Sequence, residues 1–434
     1  MPGKVLAKKG NVATIDYFGE KRHALSDLSD FSVGDYVYVQ AGFVVKRIPK
    51  EEVEPTLAVW KDMMARLKKT DSERSKSIDR PRVSDRKLAA LLSSAKDGKI
   101  PSREQLLSLL SLAETPSLDA LFYTANAIRM RELSNSCCVH GIIEFSNYCS
   151  QRCAYCGISA KNPSLSRYRL SIGQIVDAAR IACKDYGFQA LVLQSGEDPF
   201  YSDERLVEIV RAVRKECQVV IFMSVGERSI DCFRKLYAAG ARGVLLRFES
   251  SNPKIYSDMG KGDLASRISL LRELRSMGYL IITGALIGLP GQTDEDILND
   301  ILLTKELGAE MFSFGPFLPH PQTSLAKAKP PPISKVLAVL AAARFAQPDA
   351  KILVTTALET LDEDGREHAL LSGANSLMIN ATPLEYRKLY SIYPNKAWVE
   401  TPLAVEIRET ISLLRSLGRA PTDLGVSKGF ANGK

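Results

Sequence analysis

The stretch Ile142-Ile143-Glu144-Phe145-Ser146-Asn147-Tyr148-Cys149-Ser150-Gln151-Arg152-Cys153-Ala154-Tyr155-Cys156-Gly157 joins a short apolar run to a loop with three cysteines in C-x3-C-x2-C spacing. The apolar run, ending in polar turn residues, predicts a buried strand. The loop supplies three thiolates from one tight segment, one fewer than a four-iron cluster normally takes. One iron is then left for an exogenous chelator, much as a catalytic metal keeps an open position. A structural zinc site and three buried thiols are the plainer alternatives. Zinc sites favour C-x2-C pairs with a matching second pair, and the chain has no such second pair.

Downstream, apolar runs at 190–196, 219–225, 244–250, 280–288, 311–318, 352–357 and 376–380 alternate with amphipathic stretches. With 142–147 they make eight βα units, which predicts an α/β chain whose parallel strands close into a (β/α)8 TIM-type barrel. Chemistry in such a barrel collects at the C-terminal ends of the strands. The unusual polar motifs fall there: Gln194-Ser195-Gly196-Glu197 after the second strand, Ser224-Val225-Gly226-Glu227 after the third, and Arg247-Phe248-Glu249-Ser250 closing the fourth. Gly288-Leu289-Pro290-Gly291-Gln292-Thr293, Gly315-Pro316-Phe317-Leu318-Pro319-His320, Thr355-Thr356 and Asn380-Ala381-Thr382-Pro383 follow the remaining four.

Upstream, short runs at 4–6, 12–17, 21–24, 36–40 and 43–48, separated by turn glycines, predict a small OB-like β-barrel. A helix over 51–67 completes a first domain at 1–67. The basic, Ser-rich segment 68–86 lacks apolar periodicity and reads as a flexible linker. A helical region at 87–132 then opens the large domain, 87–417, and 418–434 reads as a flexible tail.

The 434 residues are 45% hydrophobic and 25% charged, ordinary for a globular chain. No apolar run reaches the roughly 18 residues of a membrane span, and the start lacks the apolar core of a signal peptide. A cytoplasmic enzyme without a membrane partner is expected. Eight cysteines with a clustered triplet read as metal chemistry in a reducing compartment rather than as disulfides, and an accessible low-potential cluster suggests an anaerobic host. The net charge of +8 does not indicate nucleic acid, because Lys and Arg are interspersed with Asp and Glu outside 66–86.

The cysteine spacing, with an aromatic residue before the third cysteine, resembles the cluster loop of the radical S-adenosylmethionine (SAM) superfamily. The resemblance implies a 4Fe-4S cluster on Cys149, Cys153 and Cys156, SAM as a second cofactor, and an electron donor. SAM would be cleaved to methionine and a 5′-deoxyadenosyl radical. From the residues alone, Glu249 ends an apolar strand and suits the ribose hydroxyls. Arg267 suits the methionine carboxylate as a bidentate fork, or is an exposed helical arginine. Gln194, Ser195 and Gly196 suit the methionyl end, or form a strand-ending turn.

From 139 to 396 the chain resembles more closely the FeFe-hydrogenase maturases of the HydE type, through Ile142-Ile143-Glu144-Phe145-Ser146-Asn147, 193–199, 289–293, 315–321, 355–357, 373–375 and 386–394. This resemblance implies SAM contacts from Gln194, Ser195, Gly196, Ser224, Glu249, Arg267 and Leu289. It implies a substrate region lined by Arg247, Thr355, Thr356 and Tyr393, and as substrate a cysteine-ligated iron carbonyl cyanide, a small organometallic iron species. Two departures stand out. The last cysteine is Cys232, so the second cluster of many relatives has no ligands. Ile158-Ser159-Ala160 stands where relatives carry basic residues. A carbon-skeleton mutase of the methylornithine-synthase kind and a non-catalytic scaffold for cofactor assembly remain as rivals.

The segments Pro2-Gly3-Lys4-Val5 and 33–44 resemble the small hydrogenase-assembly chaperones of the HypC type. That family uses a cysteine after the initiator methionine and a histidine before its Gly-Phe segment. Here the cysteine has no counterpart and Gln40 stands near the histidine position, so the expected role is docking a protein partner in cofactor assembly. Oligonucleotide binding is disfavoured by the few exposed aromatics. Cys183, Cys217 and Cys232 read as core or incidental thiols, and Cys137, Cys138 and His140, placed before the first strand, as structural.

Overall fold

The computed structural model describes residues 2–77 and 83–422. The first unit is a closed five-stranded barrel: β1 (Pro2–Lys9), β2 (Val12–Tyr17), β3 (Glu20–Leu25), β4 (Tyr36–Gln40) and β5 (Phe43–Arg47), in the order β1-β2-β3-β5-β4. Alternation along β2 sends Ala13, Ile15 and Tyr17 inward, as a half-buried strand requires. The hairpin between β4 and β5 turns on Ala41 and Gly42, both at positive φ (48° and 78°), the backbone pair that matches strand twist in a two-residue loop.

The large unit contains β6 (Ser136–Ser146), β7 (Ala190–Ser195), β8 (Val220–Ser224), β9 (Ala241–Leu245), β10 (Leu280–Thr283), β11 (Leu286–Ile287), β12 (Met311–Phe312), β13 (Gly315–Pro316), β14 (Lys351–Ile352), β15 (Ser376–Asn380) and β16 (Ala420–Pro421). Eight of them pair in the order β14-β12-β10-β9-β8-β7-β6-β15, each pair parallel. A parallel bridge between Leu353 and Ser376 joins the two ends of that path. The expected eight-stranded barrel is present. Several strands are shorter than their apolar runs. The run at 244–250 leaves the ladder after Leu245, and Glu249 takes a left-handed backbone, φ 66°. The run at 280–288 breaks at Gly284 and resumes as β11 against β13. The first strand starts earlier than expected, so Cys137, Cys138 and His140 lie within it.

Three expectations about domain organisation are corrected. The helix α1 runs Lys50–Ser77, through the segment read as linker. Met64 and Leu67 pack it on the small barrel, and one turn on, buried Asp71 accepts hydrogen bonds from Arg129 at 3.0 and 3.1 Å and faces Arg419 at 3.6 Å. Arg129 comes from the helix Leu118–Leu133 of the large unit. Composition alone hid this: one aspartate with two buried arginine partners ties down a segment that has little apolar surface. Of the rest of that segment, 78–82 lie outside the described residues, and Arg86 opens the helix Arg86–Lys96.

The tail is likewise ordered as far as Thr422, because β16 pairs with β6 and Arg419 is buried; 423–434 lie outside the described residues. Finally, the small barrel is seated rather than tethered. Leu25, Ala41, Phe43 and Val45 share one core with Cys138, Ala190, Val220, Leu280 and Met311, which begin the large barrel's strands. Gln40, from the same hairpin, donates to Cys138 Sγ at 3.6 Å. The module plugs the barrel end opposite the cysteine loop.

Candidate active site at the C-terminal mouth of the barrel

The cysteine loop leaves β6 and is held from several sides. Ser146 donates to Asp198 at 2.7 Å, Arg169 grips the same carboxylate through two hydrogen bonds of 2.7 and 2.9 Å, and its guanidinium stacks 3.7 Å above the Tyr148 ring. Arg167 donates to the backbone carbonyls of Asn147, Ile158, Ser159 and Asn162, so one cation gathers both ends of the loop. Two glycines permit the close packing. A Cβ at Gly196 would collide with the Tyr148 carbonyl and the Cys149 side chain, and one at Gly157 with the Ser391 carbonyl and His320.

Cys149, Cys153 and Cys156 all face one cavity of about 320 Å³. The same cavity is lined by Gln194, Ser195, Gly196, Ser224, Glu249 and Arg267, and also by Arg247, Thr355, Thr356 and Tyr393. Leu289 is not brought there. It is buried, and its N–H donates to Gln292, whose side chain also accepts from Gly288 and donates to Leu286 and Asp300. The Pro-Gly motif is thus a turn closed on its own glutamine, and the expected SAM contact of Leu289 has no counterpart in the cavity wall. Arg267 is not the exposed helical arginine. It is buried, paired with Glu227, and donates to the Arg247 carbonyl at 3.0 Å.

The cavity holds buried polar atoms that make no hydrogen bond within the protein. Thr355 Oγ1, Arg247 Nε and Nη2, and Glu249 Oε2 are buried without a hydrogen bond. Arg247 Nη2 and Glu249 Oε2 stand 2.9 Å apart as an ion pair, but not in hydrogen-bonding alignment. Buried polar atoms left unpaired in a wall mark places where a ligand completes the bonding. Glu249 adds a second sign: a left-handed backbone is costly for a side-chain-bearing residue and concentrates at functional sites. Its other oxygen accepts from Tyr155 at 3.2 Å, which ties it to the cysteine loop.

Burial and mutual repulsion favour the protonated form of the Cys149 and Cys156 thiols. Burial, and then the charge of Cys153, pushes the Cys156 thiol up to about 12, and burial raises that of Cys149. Neighbouring thiolates repel one another unless a metal centre takes their charge. Among the described residues no trio of His, Cys, Asp or Glu is gathered closely enough for a single metal ion, so the three thiols are not closed into a mononuclear site.

Several lining residues escaped the sequence reading. Glu144, buried in β6, pairs with Lys396 and accepts from Asn380 at 3.0 Å. A lone carboxylate inside the apolar run at 142–147 was the available signal. Glu406, from the helix Leu403–Ser416, reaches the wall with Oε2 lacking a hydrogen bond. Burial raises its carboxyl to about 7, against the pull of Arg387 and Arg366. Nothing in its amphipathic helix distinguished it. No helix among the described residues is long and apolar enough to cross a membrane.

Comparison with known proteins agrees with this geometry. Residues 143–303 match the radical SAM superfamily and residues 1–60 the HupF/HypC family. The [FeFe] hydrogenase maturase subunit HydE of Thermotoga maritima is 38% identical over 321 residues, 74% of this chain and 92% of that protein. The 3-methylornithine synthase of Methanosarcina acetivorans is 31% identical over 63% of this chain and 78% of that protein. In fold, a methylornithine synthase crystal structure superposes with TM-score 0.66 at 24% identity, covering 77% of this chain and 97% of that one. The FeFe-hydrogenase maturase HydG of Carboxydothermus hydrogenoformans superposes with TM-score 0.60 at 18% identity, covering 82% and 93%. With the cysteine loop, the eight-stranded barrel and a relative aligned over nearly its whole length, the chain belongs to the radical SAM superfamily as an enzyme of the HydE type, with a HupF/HypC-family domain at its amino end.

Proposed function

We propose that this enzyme holds a 4Fe-4S cluster on Cys149, Cys153 and Cys156, binds SAM beside it, and acts on a small organometallic iron substrate in the maturation of a hydrogenase-type cofactor. The observation that carries the reading is the single cavity onto which the three cysteines, the Gln194–Glu249 set and the Arg247–Thr355 set all open. When bound, the cluster would supply the electron that cleaves SAM to methionine and a 5′-deoxyadenosyl radical, and an external donor would replenish it. The chain's own residues bind and confine. Glu249 would accept the ribose hydroxyls, and Gln194, Ser195, Gly196, Ser224 and Arg267 would hold the remainder of SAM. Arg247, Thr355, Thr356 and Tyr393 would hold the substrate, and the buried walls exclude water from a reactive carbon centre. The reading includes a cytoplasmic setting and a protein partner met by the outer face of the small barrel.

The Glu249→Gln change is expected to weaken SAM binding by roughly 1–2 kcal/mol, on the order of tenfold in Kd, because a charge-assisted hydrogen bond becomes a neutral one. The cluster's absorption spectrum should not change. Equal Kd in parent and variant, measured on reconstituted protein, would return Glu249 to a structural role.

Arg247→Ala combined with Thr356→Val tests the substrate region. Turnover of substrate should fall by at least tenfold, while uncoupled formation of 5′-deoxyadenosine continues, since a guanidinium–anion contact contributes roughly 1.5–3 kcal/mol. Parallel loss of both activities in a folded variant would reassign these residues to SAM. The 31% identity to 3-methylornithine synthase supports a second reading. Accumulation of 3-methylornithine by the purified enzyme would favour it, and product carrying iron would exclude it.

A further inference from the structure

At the barrel end opposite the cysteine loop, two other cysteines stand together. Cys183 lies in the π-helical turn Ile181–Asp185 that follows the helix Ile172–Arg180, and Cys217 caps the C-terminus of the helix Asp203–Glu216. The two segments lead into neighbouring strands, β7 and β8, whose first residues Ala190 and Val220 sit opposite each other. Lys184, next to Cys183, reaches Glu216, next to Cys217, at 3.4 Å. Between these anchors the Cys183 and Cys217 thiols are neighbours, each the first influence on the other's charge state. A π turn inserts one residue into a helix and is frequent at functional positions; here it carries one member of the pair. Cys183 is partly exposed and Cys217 is buried.

We propose that Cys183 and Cys217 are a redox-active dithiol that closes to a disulfide by exchange with a low-molecular-weight disulfide of the glutathione class. In the first exchange Cys183, the accessible thiol, bonds to one sulfur of the small disulfide and expels the other half as a thiol, which takes the Cys183 proton. In the second, the Cys217 sulfur attacks that of Cys183, breaks the mixed disulfide and expels the remaining half with the Cys217 proton. Two protein thiols are oxidised to one disulfide, and one small disulfide is reduced to two thiols.

The position gives the bond a consequence. Ala190 and Val220 belong to the apolar core shared with the amino-terminal barrel, so a disulfide here ties together the segments entering β7 and β8 where the module is seated. A cross-link lowers the entropy of the unfolded chain and raises stability.

The test uses cluster-loaded full-length enzyme, kept anaerobic and exposed to oxidised glutathione, then alkylated and mapped by mass spectrometry without reduction. The expected result is a linked peptide pair joining Cys183 to Cys217, loss of both thiols to alkylation, unchanged iron content, and a thermal midpoint that rises and then falls back on adding dithiothreitol. The Cys217→Ser variant should instead accumulate a stable glutathione adduct on Cys183. The proposal is overturned if both thiols of the parent remain alkylatable at full oxidation, or if the parent stops at the Cys183 adduct without forming the link.

Discussion

Replacing Cys149, Cys153 or Cys156 with alanine is expected to abolish SAM cleavage and to leave the protein with little or no cluster iron. The loop offers three thiols, and all three face the same cavity; a four-iron cluster normally needs four ligands, of which the chain already supplies only these. No cysteine follows Cys232 in the sequence, and Cys183, Cys217 and Cys232 are absent from the cavity wall, so no substitute thiol is at hand. The loop's shape should survive the change, because Arg167 and Arg169 hold it through backbone carbonyls and Asp198, independently of the sulfurs. Iron analysis and quantification of 5′-deoxyadenosine under a strong reductant check this. Parent-level 5′-deoxyadenosine from the triple variant would remove the basis of the proposed chemistry.

The second large effect concerns the seam between the two units. Asp71→Ala should destabilise the enzyme by about 3–5 kcal/mol, since removing one partner of a buried ion cluster leaves uncompensated charge. Arg129 and Arg419 are both fully buried and would then face each other without an anion. Burial, followed by the charge of Arg129, already lowers Arg419 to about 9. A chain beginning at Arg86 should fare worse. It lacks Asp71 as well as the plug of Leu25, Ala41, Phe43 and Val45, where each large side chain contributes roughly 1.5–3 kcal/mol of burial. Denaturant midpoints for Asp71→Ala and the solubility of the shortened chain are the measurements. A shortened chain as stable as the parent would mean that the module is only tethered after all.

Much of the fold, and residues that gather on one cavity, were legible in short stretches of sequence. The cysteine triplet is contiguous, and its spacing alone states how many thiolates it offers. The alternation of apolar runs with amphipathic ones carried the barrel and its active face, because in a parallel barrel each strand's C-terminal end is fixed once its direction is known. Glu249 could be singled out as a carboxylate closing an apolar strand, although its left-handed backbone could not be foreseen. Leu289 could not be placed from sequence, because a Gly-Leu-Pro-Gly turn looks the same whether its amides face outward or, as here, Gln292.

Pairings across distant parts of the chain were decided by tertiary structure. Glu144 meets Lys396, Glu406 reaches the cavity from the penultimate described element, and Asp71 meets Arg129 and Arg419. In the sequence, each of these is one more charged residue among many, and a polar segment such as 68–77 shows no apolar period to announce that it is ordered. Burial is what gives such a residue its partner: once a charge is taken from water, only an opposite charge or a dense set of hydrogen bonds can hold it. That requirement is met by whatever the fold brings near, which is why local pattern carried the barrel while the seating of the small domain and the inner wall of the cavity emerged only from the packed chain.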